Sequence, residues 1–369
     1  MIKLIIFILF LLPAAAFAQF TITGKIINAP DKTPVANASV FLNNSATGTK
    51  TDDKGLFTMS GVRQGQYDLV VSCVGFETLH QNIAVNADLK LDDIFLQPKL
   101  MMLAEVKIKP KYDWAKSYEI FKKHFFGTSE FASQCKIITR SLPDILDLDY
   151  NERTRVLTAK SIDYFEIENK ALGYKITYSL QEMICDDRNG SYYYAGTSSF
   201  EELKGSEAQK RRWAKHRKEA YEGSSMQFLR SVISNTITAA GFKALRLIRK
   251  TDTAHHIRIG DNNFSTLVDK PLTVNEFAKL TDVKGVYALT FTDCLYIMYE
   301  KKKALRANSL TPEWAGKGWD NAQLTTVIFN KPYALFDNNG IFLDPAATTY
   351  EGNWGRRLMA ELLPVDYVE

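Results

Sequence analysis

The fold of the first part of the chain is decided by residues 51–76, TDDKGLFTMSGVRQGQYDLVVSCVGF. Its segment Asp52–Gly55 has the composition of a tight turn, because Gly adopts positive φ freely and Asp hydrogen-bonds its own backbone. From Tyr67 to Cys73, apolar side chains occupy every second position. This period of two, with a second face that is only weakly polar, predicts a strand in a packed β-sandwich.

Further short strands are predicted on both sides of this stretch. Residues 20–28 and 38–43 precede it, separated by a loop that Pro30 and Pro34 bracket. Residues 77–85 and 89–97 follow it and bring the total to about seven strands at regular spacing, which is typical of a sandwich. The sequence therefore predicts an all-β sandwich domain over residues 19–98.

Several spaced motifs of this region resemble the carboxypeptidase-like regulatory domain. They are Pro34–Val40, Gly48–Phe57, Gly65–Ser72 and Val74–Phe76. The resemblance covers residues 20–98 and implies a transthyretin-like β-sandwich, which in this family caps many secreted and outer-membrane proteins of Gram-negative bacteria. In TonB-dependent receptors the same module is followed by a short strand, and Leu103–Ile108 resembles it. Residues 99–111 are therefore predicted to be a connector.

Residues 112–369 are predicted to form a larger α+β domain with long antiparallel strands. A helix is predicted over 112–126, where aromatic residues recur at helical spacing. Aromatic and β-branched runs at 161–168, 172–184 and 191–196 predict an antiparallel meander. This part resembles the C-terminal region of secreted proteins whose function is unassigned, so the resemblance implies an architecture only.

A core helix is predicted from Ser225 to Ala240. Ser224 is its expected N-cap, with Gln227 reaching back as in a capping box. Its apolar stripe consists of Met226, Leu229, Ile233, Ile237 and Ala240. Phe228 and Val232 widen the stripe beyond that of a one-sided surface helix, so we expect the helix to be covered on most of its circumference.

Residues 1–18 have the pattern of a secretory signal peptide. Lys3 precedes the apolar run Leu4–Leu12, and a small-x-small site ends at Ala18. The run is too short to remain as a membrane span, and no other stretch approaches the ~20 apolar residues that a span needs. We therefore expect an exported protein without a transmembrane helix in the mature chain, in the periplasm or at the outer membrane and cell surface.

Cleavage is predicted between Ala18 and Gln19, because that bond follows the small-x-small site directly. Gln19 is not a cysteine, so a lipid-anchored N-terminus is not expected. Mass spectrometry of the exported protein should find Gln19 as the first residue. An exported form that begins at any other residue would contradict the prediction.

Charge and cysteine content exclude some classes of function. A formal net charge of +4 is too small to argue for binding to nucleic acid or to an anionic membrane surface.

The four cysteines are predicted to be buried free thiols. An oxidising compartment allows three pairings of four cysteines, but their apolar contexts and the absence of a CxxC spacing favour free thiols. The four are Cys73, Cys135, Cys185 and Cys294.

The motifs with catalytic or metal-binding spacing all have simpler explanations. His216 and Glu219 form the HxxE of zinc carboxypeptidases, but they lie in a run of basic residues that is typical of a solvated helix face. His255 and His256 are adjacent, so on a strand they would point to opposite faces. Asp52 and Asp53 fall far short of the 6–8 oxygens that calcium takes.

The sequence contains no GxSxG, HExxH, P-loop or GxGxxG. The sequence thus predicts no catalytic, cofactor-binding or metal-ligating residue and no cofactor. The only site residues it predicts are Ala18 and Gln19, which flank the cleavage bond. The run Tyr192–Tyr194 fits sugar stacking, although strand residues of a two-faced sheet explain it as well.

Three functions remain open. In the first, the sandwich is a docking or spacing module of a non-enzymatic envelope protein, and the larger domain binds a partner, either another envelope protein or a glycan. In the second, the protein binds a glycan or peptide, and a concave aromatic pocket is expected. In the third, it is an unrecognised hydrolase, and a buried pair of carboxylates with raised pKa values is expected.

Overall fold

The computed structural model describes residues 19–99, 114–188, 190–249, 265–303 and 322–369. The expected signal peptide, almost all of the expected connector, and the pair His255 and His256 lie outside the described residues. The chain divides into two compact units: residues up to Val40 with Thr49–Lys99 form the first unit, and Phe41–Gly48 with the residues after Lys99 form the second unit. Among the described helices, none combines the length and apolarity needed to cross a membrane.

The N-terminal region is built from short strands arranged in two sheets, as predicted. Its strands are β1 (Gln19–Asn28), β2 (Ser39–Leu42), β3 (Gly48–Lys50), β4 (Leu56–Arg63), β5 (Gly65–Ser72), β6 (Leu79–Val85), β7 (Leu89–Lys90) and β8 (Ile94–Leu96). One sheet has the order β4-β1-β7, with β8 also paired to β1, and the other has the order β3-β2-β5-β6. Strand β1 is antiparallel to β4 and parallel to β7 and β8.

The turn before β4 uses the chemistry read from the sequence. The Asp52 carboxylate accepts hydrogen bonds from the backbone N–H groups of Lys54 (2.9 Å) and Leu56 (2.8 Å). Gly55 has φ +72°, and a Cβ there would lie 2.5 Å from the carbonyl oxygen of Ile26. Only glycine fits this position without strain, because an L side chain rarely adopts positive φ and the space is closed.

Strand β5 is buried on both faces at its centre. Tyr67, Leu69 and Val71 are buried on the predicted core face, and Val70 on the other face is fully buried as well. The strand ends at Ser72, so Cys73 is half-buried and Val74 is exposed to solvent. The weakly polar second face in the sequence thus corresponds to a strand enclosed on two sides.

The first half of the second unit is a six-stranded antiparallel sheet. Its strands are β9 (Cys135–Ile137), β10 (Leu146–Asn151), β11 (Val156–Ser161), β12 (Phe165–Asn169), β13 (Tyr174–Asp186) and β14 (Ser191–Glu202). The order is β10-β11-β13-β12-β9, and β14 pairs along nearly the whole length of β13. The long antiparallel strands predicted for this region are therefore present.

A five-stranded and a three-stranded sheet follow. The five-stranded sheet contains β15 (Phe242–Arg249), β16 (Ser265–Val268), β19 (Cys294–Lys303), β20 (Ala322–Phe329) and β22 (Thr348–Gly352) in the order β16-β15-β19-β20-β22. The other contains β17 (Ala278–Leu280), β18 (Val286–Leu289) and β21 (Ala334–Asp337) in the order β17-β18-β21. Strand β22 is thus at one edge of its sheet.

Helices accompany these sheets, and the described protein is mostly β. They are α1 (Trp114–Phe126), α2 (Leu142–Ile145), α3 (Glu207–Tyr221), α4 (Ser225–Ile233), α5 (Ile237–Ala240), α6 (Val274–Phe277) and α7 (Asn353–Arg356). Helix α1 matches the predicted helix over 112–126 and buries Phe121 and Phe125 in the core of the six-stranded sheet.

The prediction of one continuous helix from Ser225 to Ala240 was wrong. The helix ends at Ile233, Asn235 adopts the left-handed conformation with φ +55°, and a new helix begins at Ile237. The N–H of Thr236 donates to the carbonyl of Ser231 at 2.8 Å, as in a Schellman motif with Asn at the left-handed position. The apolar stripe nevertheless packs inward on both sides of the break, because Leu229 and Ile237 are both buried.

The N-cap of α4 was identified correctly, but its capping box differs from the expected one. The Ser224 hydroxyl accepts from the N–H of Gln227 at 3.1 Å, as predicted. The Gln227 side chain accepts from the N–H of Gly223 at 2.7 Å instead of that of Ser224. A complete capping box is formed by Ser206 and Gln209 at the start of α3, which the sequence analysis had not singled out.

Residues 41–48 are held within the second unit by the C-terminal segment. The Asp366 carboxylate accepts from the hydroxyl groups of Ser45 and Thr47, each at 2.8 Å, and from the N–H of Ala46. The N–H of Val365 donates to the carbonyl of Asn44 at 2.7 Å. These bonds explain why this short segment groups with residues more than three hundred positions away in the sequence.

Candidate binding cleft

A cleft of about 830 Å³ opens on the surface of the second unit. Residues of β14, β22, α7 and the start of α4 line it, together with the segment that follows α7. More of its lining is apolar than polar. Such a cleft is of the size and character that small ligands and peptide side chains occupy.

The first wall is the tyrosine run of β14. Tyr192, Tyr193 and Tyr194 all line the cleft and are half-buried. Tyr194 also packs on Phe125 of α1, with ring centroids 5.9 Å apart, so the wall is anchored in the core. These are the residues that the sequence analysis named for stacking, and the structure places them at a concave surface.

Burial moves the pKa of two phenol groups of this wall further above neutral pH. It raises the pKa of Tyr192 to about 12, with a smaller contribution from Cys185, while the guanidinium of Arg356 opposes the shift. Burial also raises the pKa of Tyr194. The two hydroxyl groups therefore remain neutral and can both donate and accept hydrogen bonds.

The opposite wall is aromatic too and is fixed by hydrogen bonds. The indole N–H of Trp354 donates to the carbonyl of Gly223 at 2.8 Å. Its ring contacts that of Tyr350 edge to face, with centroids 5.6 Å apart. The Tyr350 hydroxyl accepts from the hydroxyl of Thr348 at 2.7 Å, so the wall is ordered before any ligand arrives.

Two carboxylates at the cleft are each held by an arginine. Glu351 is buried and forms a bidentate pair with Arg249, one of whose N–O distances is 2.9 Å. Glu361 lies 3.8 Å from the Nε of Arg357. Burial raises the pKa of Glu361 and lowers the pKa of Arg357, and the attraction between the two groups opposes both shifts.

Arg357 also connects the segment after α7, which lines the cleft, to helix α3. Its guanidinium donates to the carbonyl oxygens of Ala220 and Glu222 at the C-terminal end of α3, the latter at 2.8 Å. A third contact reaches the Gln323 side chain at 3.2 Å. Arg357 is therefore a structural residue whose donors are already used, whereas its neighbour Arg356 is exposed at the cleft.

The hydrolase hypothesis required two buried carboxylates with raised pKa values in one pocket. In the described part of the cleft, Glu361 has a raised pKa, but the charged group beside it is the Arg357 guanidinium. Asp337 has a pKa raised by burial as well, and its carboxylate is occupied by hydrogen bonds from Asn339 and Ile341 within its own turn. These arrangements explain both carboxylates as structural groups.

His216, the histidine of the HxxE pair, has a structural role on the basic helix. The Nδ1 atom of His216 lies 2.9 Å from the carbonyl oxygen of Ala171, and the ring stacks on Phe131 with centroids 5.1 Å apart. The described residues contain no group of three or more His, Cys, Asp or Glu side chains that could hold a metal ion. All four cysteines are free thiols, and two of them, Cys185 and Cys294, are buried.

Most of the cleft was not apparent from the sequence. Tyr350, Trp354 and Arg356 were not singled out, because they are far from Tyr192 in the chain. The signal that could have drawn attention to them is their clustering: two aromatic residues and two arginines occur within the eight residues Tyr350–Arg357. Such a combination is typical of binding surfaces.

The fold and cleft together define a mostly β protein in which a small domain of short strands precedes a larger unit that carries an aromatic cleft. Residues 22–108 match the model of the CarboxypepD_reg-like domain. The predicted resemblance to the carboxypeptidase-like regulatory domain is thereby confirmed, and the N-terminal β domain is of this type. The match does not extend to the cleft.

Comparisons with solved structures find weak similarity, with low TM-scores. A type II cohesin–X-dockerin complex from Acetivibrio cellulolyticus is 23% identical over 21% of this chain, with a TM-score of 0.20, and the match spans 56% of that chain. A DUF3823 family protein from Bacteroides ovatus is 14% identical over 51% of this chain and 83% of that chain, with a TM-score of 0.19. A search of curated proteins finds no match. Scores this low carry no functional argument.

Proposed function

We propose that this protein is an exported, non-enzymatic binding protein of the bacterial envelope, and that its second unit binds a glycan or peptide in the aromatic cleft. The domains we propose are a signal peptide over 1–18, a regulatory-like sandwich over 19–98, a connector over 99–111 and a binding domain over 112–369. In this proposal the sandwich is the docking or spacing module, and no cofactor takes part.

The observation that carries the proposal is the cleft itself. Aromatic rings from two separate strands face one concavity, and hydrogen bonds such as that from Trp354 to Gly223 hold them in place. Rigid aromatic side chains supply contact area at low conformational cost, and Tyr and Trp are enriched among the residues that dominate binding energy. The concave aromatic pocket expected of a glycan or peptide binder therefore supports this function over a purely structural role.

The charged groups of the cleft support binding rather than catalysis. Glu351 and Glu361 are each engaged by an arginine, and Arg357 is also engaged by backbone carbonyls. A general acid or base needs to reach a substrate, whereas these groups hold the protein's own elements together. The N-terminal domain is of a regulatory-like family, which fits a non-enzymatic role.

Replacing Tyr192 by alanine is expected to weaken ligand binding by at least about tenfold, equivalent to ~1.4 kcal/mol. The reason is that Tyr192 is half-buried and lines the cleft, so truncation to alanine removes contact area for a ligand there. The measurement is binding of the mature protein to oligosaccharide and peptide arrays, followed by titration of each hit. Tyr333→Ala is the matched control, because Tyr333 is 56% exposed and is not part of the cleft.

The binding function is contradicted if every hit binds the Tyr192→Ala and wild-type proteins equally, or if neither array yields a hit. Circular dichroism of the variant checks that the fold is retained. An equal loss of binding in Tyr333→Ala would also contradict the assignment of the cleft as the binding site, since Tyr333 lies elsewhere on the surface.

A further inference from the structure

The outer edge of β14 is covered along only part of its length. Towards its C-terminal end, the N–H of Asn44 donates to the carbonyl of Ser198 at 2.7 Å, and the N–H of Phe200 donates to the carbonyl of Ser45 at 2.9 Å. Backbone groups of alternate residues point to the same side of a strand. The N–H and C=O groups of Tyr192 and Tyr194 therefore also point away from β13, towards the open edge.

This open edge lies at the cleft. Tyr192 and Tyr194 line it, and no backbone group in the described part of the chain bonds to their outward-pointing N–H and C=O groups. An uncovered strand edge is a template for pairing with another extended chain. The covered half shows that this edge accepts such a partner, because residues 44–45 run alongside it with a parallel bridge from Ser45 to Ser199.

The facing wall contains a second strand edge. Strand β22 pairs with β20 on one side only, and the N–H of Asn330 donates to the carbonyl of Ala347 at 2.9 Å. By the same alternation, Thr349 and Glu351 direct their backbone groups to β20, and those of Thr348 and Tyr350 point away from it. The cleft is thus lined by edge strands of two different sheets, and on β22 the carbonyl of Tyr350 is covered by Gly355.

The charge available to a ligand in the cleft is positive. Glu351 is paired with Arg249 and Glu361 with Arg357. Arg356 is exposed at the cleft, and no hydrogen bond or ion pair to it is found among the described residues. A ligand with a carboxylate would supply the complementary charge, and a planar guanidinium binds a carboxylate through two parallel hydrogen bonds.

We propose that the cleft binds an extended peptide segment as an added β-strand along the open edge of β14, with an acidic side chain of the peptide paired to Arg356. This inference rests on the proposed binding function and names its ligand class. An extended peptide repeats its outward N–H and C=O groups every second residue, about 6.8 Å apart, as the edge of β14 does. The side chains of the bound peptide then lie between the two aromatic walls of the cleft.

A glycan does not match these features as well. Sugar rings stack on aromatic faces, but they carry no regular series of alternating donors and acceptors along one line. An open strand edge beside a groove is the recognised basis of peptide binding by strand addition, in which the main chain gives affinity and the side-chain pockets give specificity.

The test begins with selection of a random heptapeptide library displayed on phage against the mature full-length protein. Enriched peptides are synthesised with a fluorescent label, and their affinities are measured by anisotropy. N-methylation of the alternate amides that face β14 is expected to lower the affinity at least tenfold, because each methyl group removes a main-chain donor. Unmethylated peptide of the same sequence is the reference.

Arg356→Gln is expected to lower the affinity at least fivefold and to make binding less sensitive to salt. Arg211→Gln is the matched control, since Arg211 is an exposed arginine on α3 outside the cleft. Replacing the acidic residue of the peptide by its amide should have little further effect in the Arg356→Gln protein, because the partner charge is already gone.

The inference is overturned if N-methylated peptides bind as tightly as unmethylated ones, or if Arg356→Gln and Arg211→Gln have equal effects. Oligosaccharides that bind in a Tyr192-dependent manner while no peptide is enriched would also overturn it, but would leave the proposed binding function in place. Absence of both peptide and oligosaccharide binding would contradict the inference and the proposed function together.

Discussion

Replacing Phe228 by alanine is expected to lower the free energy of unfolding of the second unit by about 3–5 kcal/mol, the range for removing a buried aromatic side chain. Phe228 is fully buried on α4, and its ring lies 5.3 Å from that of Phe242, 6.1 Å from Phe277 and 5.4 Å from Trp354. The aromatic neighbours are large and fixed from several elements, so they cannot close the space that the substitution leaves.

Tryptophan fluorescence during denaturant unfolding measures this loss. All five tryptophans lie at position 114 or later, so the signal reports the second unit and not the N-terminal β strands. Ile233→Ala on the same helix is the internal control, because Ile233 is only half-buried and should cost less. A Phe228→Ala loss below about 1 kcal/mol would show that this aromatic cluster is not tightly packed.

Replacing Arg357 by methionine is expected to lower the free energy of unfolding by a similar amount, about 3–5 kcal/mol. The reason is that the substitution removes one partner from a buried cluster of charged groups. The carbonyl oxygens of Ala220 and Glu222 lose their donors, and the Glu361 carboxylate loses its nearest cation. Methionine retains most of the aliphatic length of the arginine side chain. The loss of unfolding free energy therefore reflects the missing polar contacts more than the missing side-chain volume.

The loss of unfolding free energy in the Arg357→Met variant should depend on pH. Burial raises the pKa of Glu361 above its ordinary value of 4.5, and removing Arg357 takes away the largest contribution that opposes this shift, leaving the hydrogen bond from Ser129 and the weaker attraction of Lys302. An acid whose pKa is higher in the folded state favours folding below the unfolded pKa, and this contribution disappears as pH rises through the folded pKa. The variant should therefore be least stable relative to wild type at neutral pH and should recover as pH falls towards about 4.5.

Denaturant unfolding of Arg357→Met and of Arg357→Met with Glu361→Gln, at several pH values, tests this account. The second substitution removes the carboxylate and is expected to remove most of the pH dependence. A deficit that is the same at pH 5 and pH 8 in the single variant would mean that Glu361 does not carry an uncompensated charge.

The N-terminal domain could be predicted well because its signals are local. Asp52 and Gly55 form their turn through bonds between residues no more than four positions apart. The alternation from Tyr67 to Val71 gives the side of each residue directly, since side chains of a strand point to opposite faces. These features, with spaced motifs in a fixed order, were sufficient to identify the family of the domain.

Local signals also located most elements of the second unit but not every boundary. Ser224 was recognised as an N-cap because a side-chain oxygen that accepts from a backbone N–H two or three residues later is a local feature. The end of α4 was missed because Asn235 and not Gly takes the left-handed position, and asparagine does this less often. The apolar spacing continues across the break and gave no sign of it.

The cleft and its charges were decided by the tertiary structure. Tyr192 and Tyr350 lie in strands of different sheets, and no pattern along the chain states which distant strands will face one another. Arg357 and Arg356 are neighbours with the same charge, yet one is used by backbone carbonyls of α3 and the other is exposed. Turns, caps and strand faces follow from interactions within a few residues and can be predicted from the sequence alone. The contact of Arg357 with α3 and the meeting of Tyr192 and Tyr350 at one cleft join segments more than one hundred residues apart, and only the folded chain establishes them.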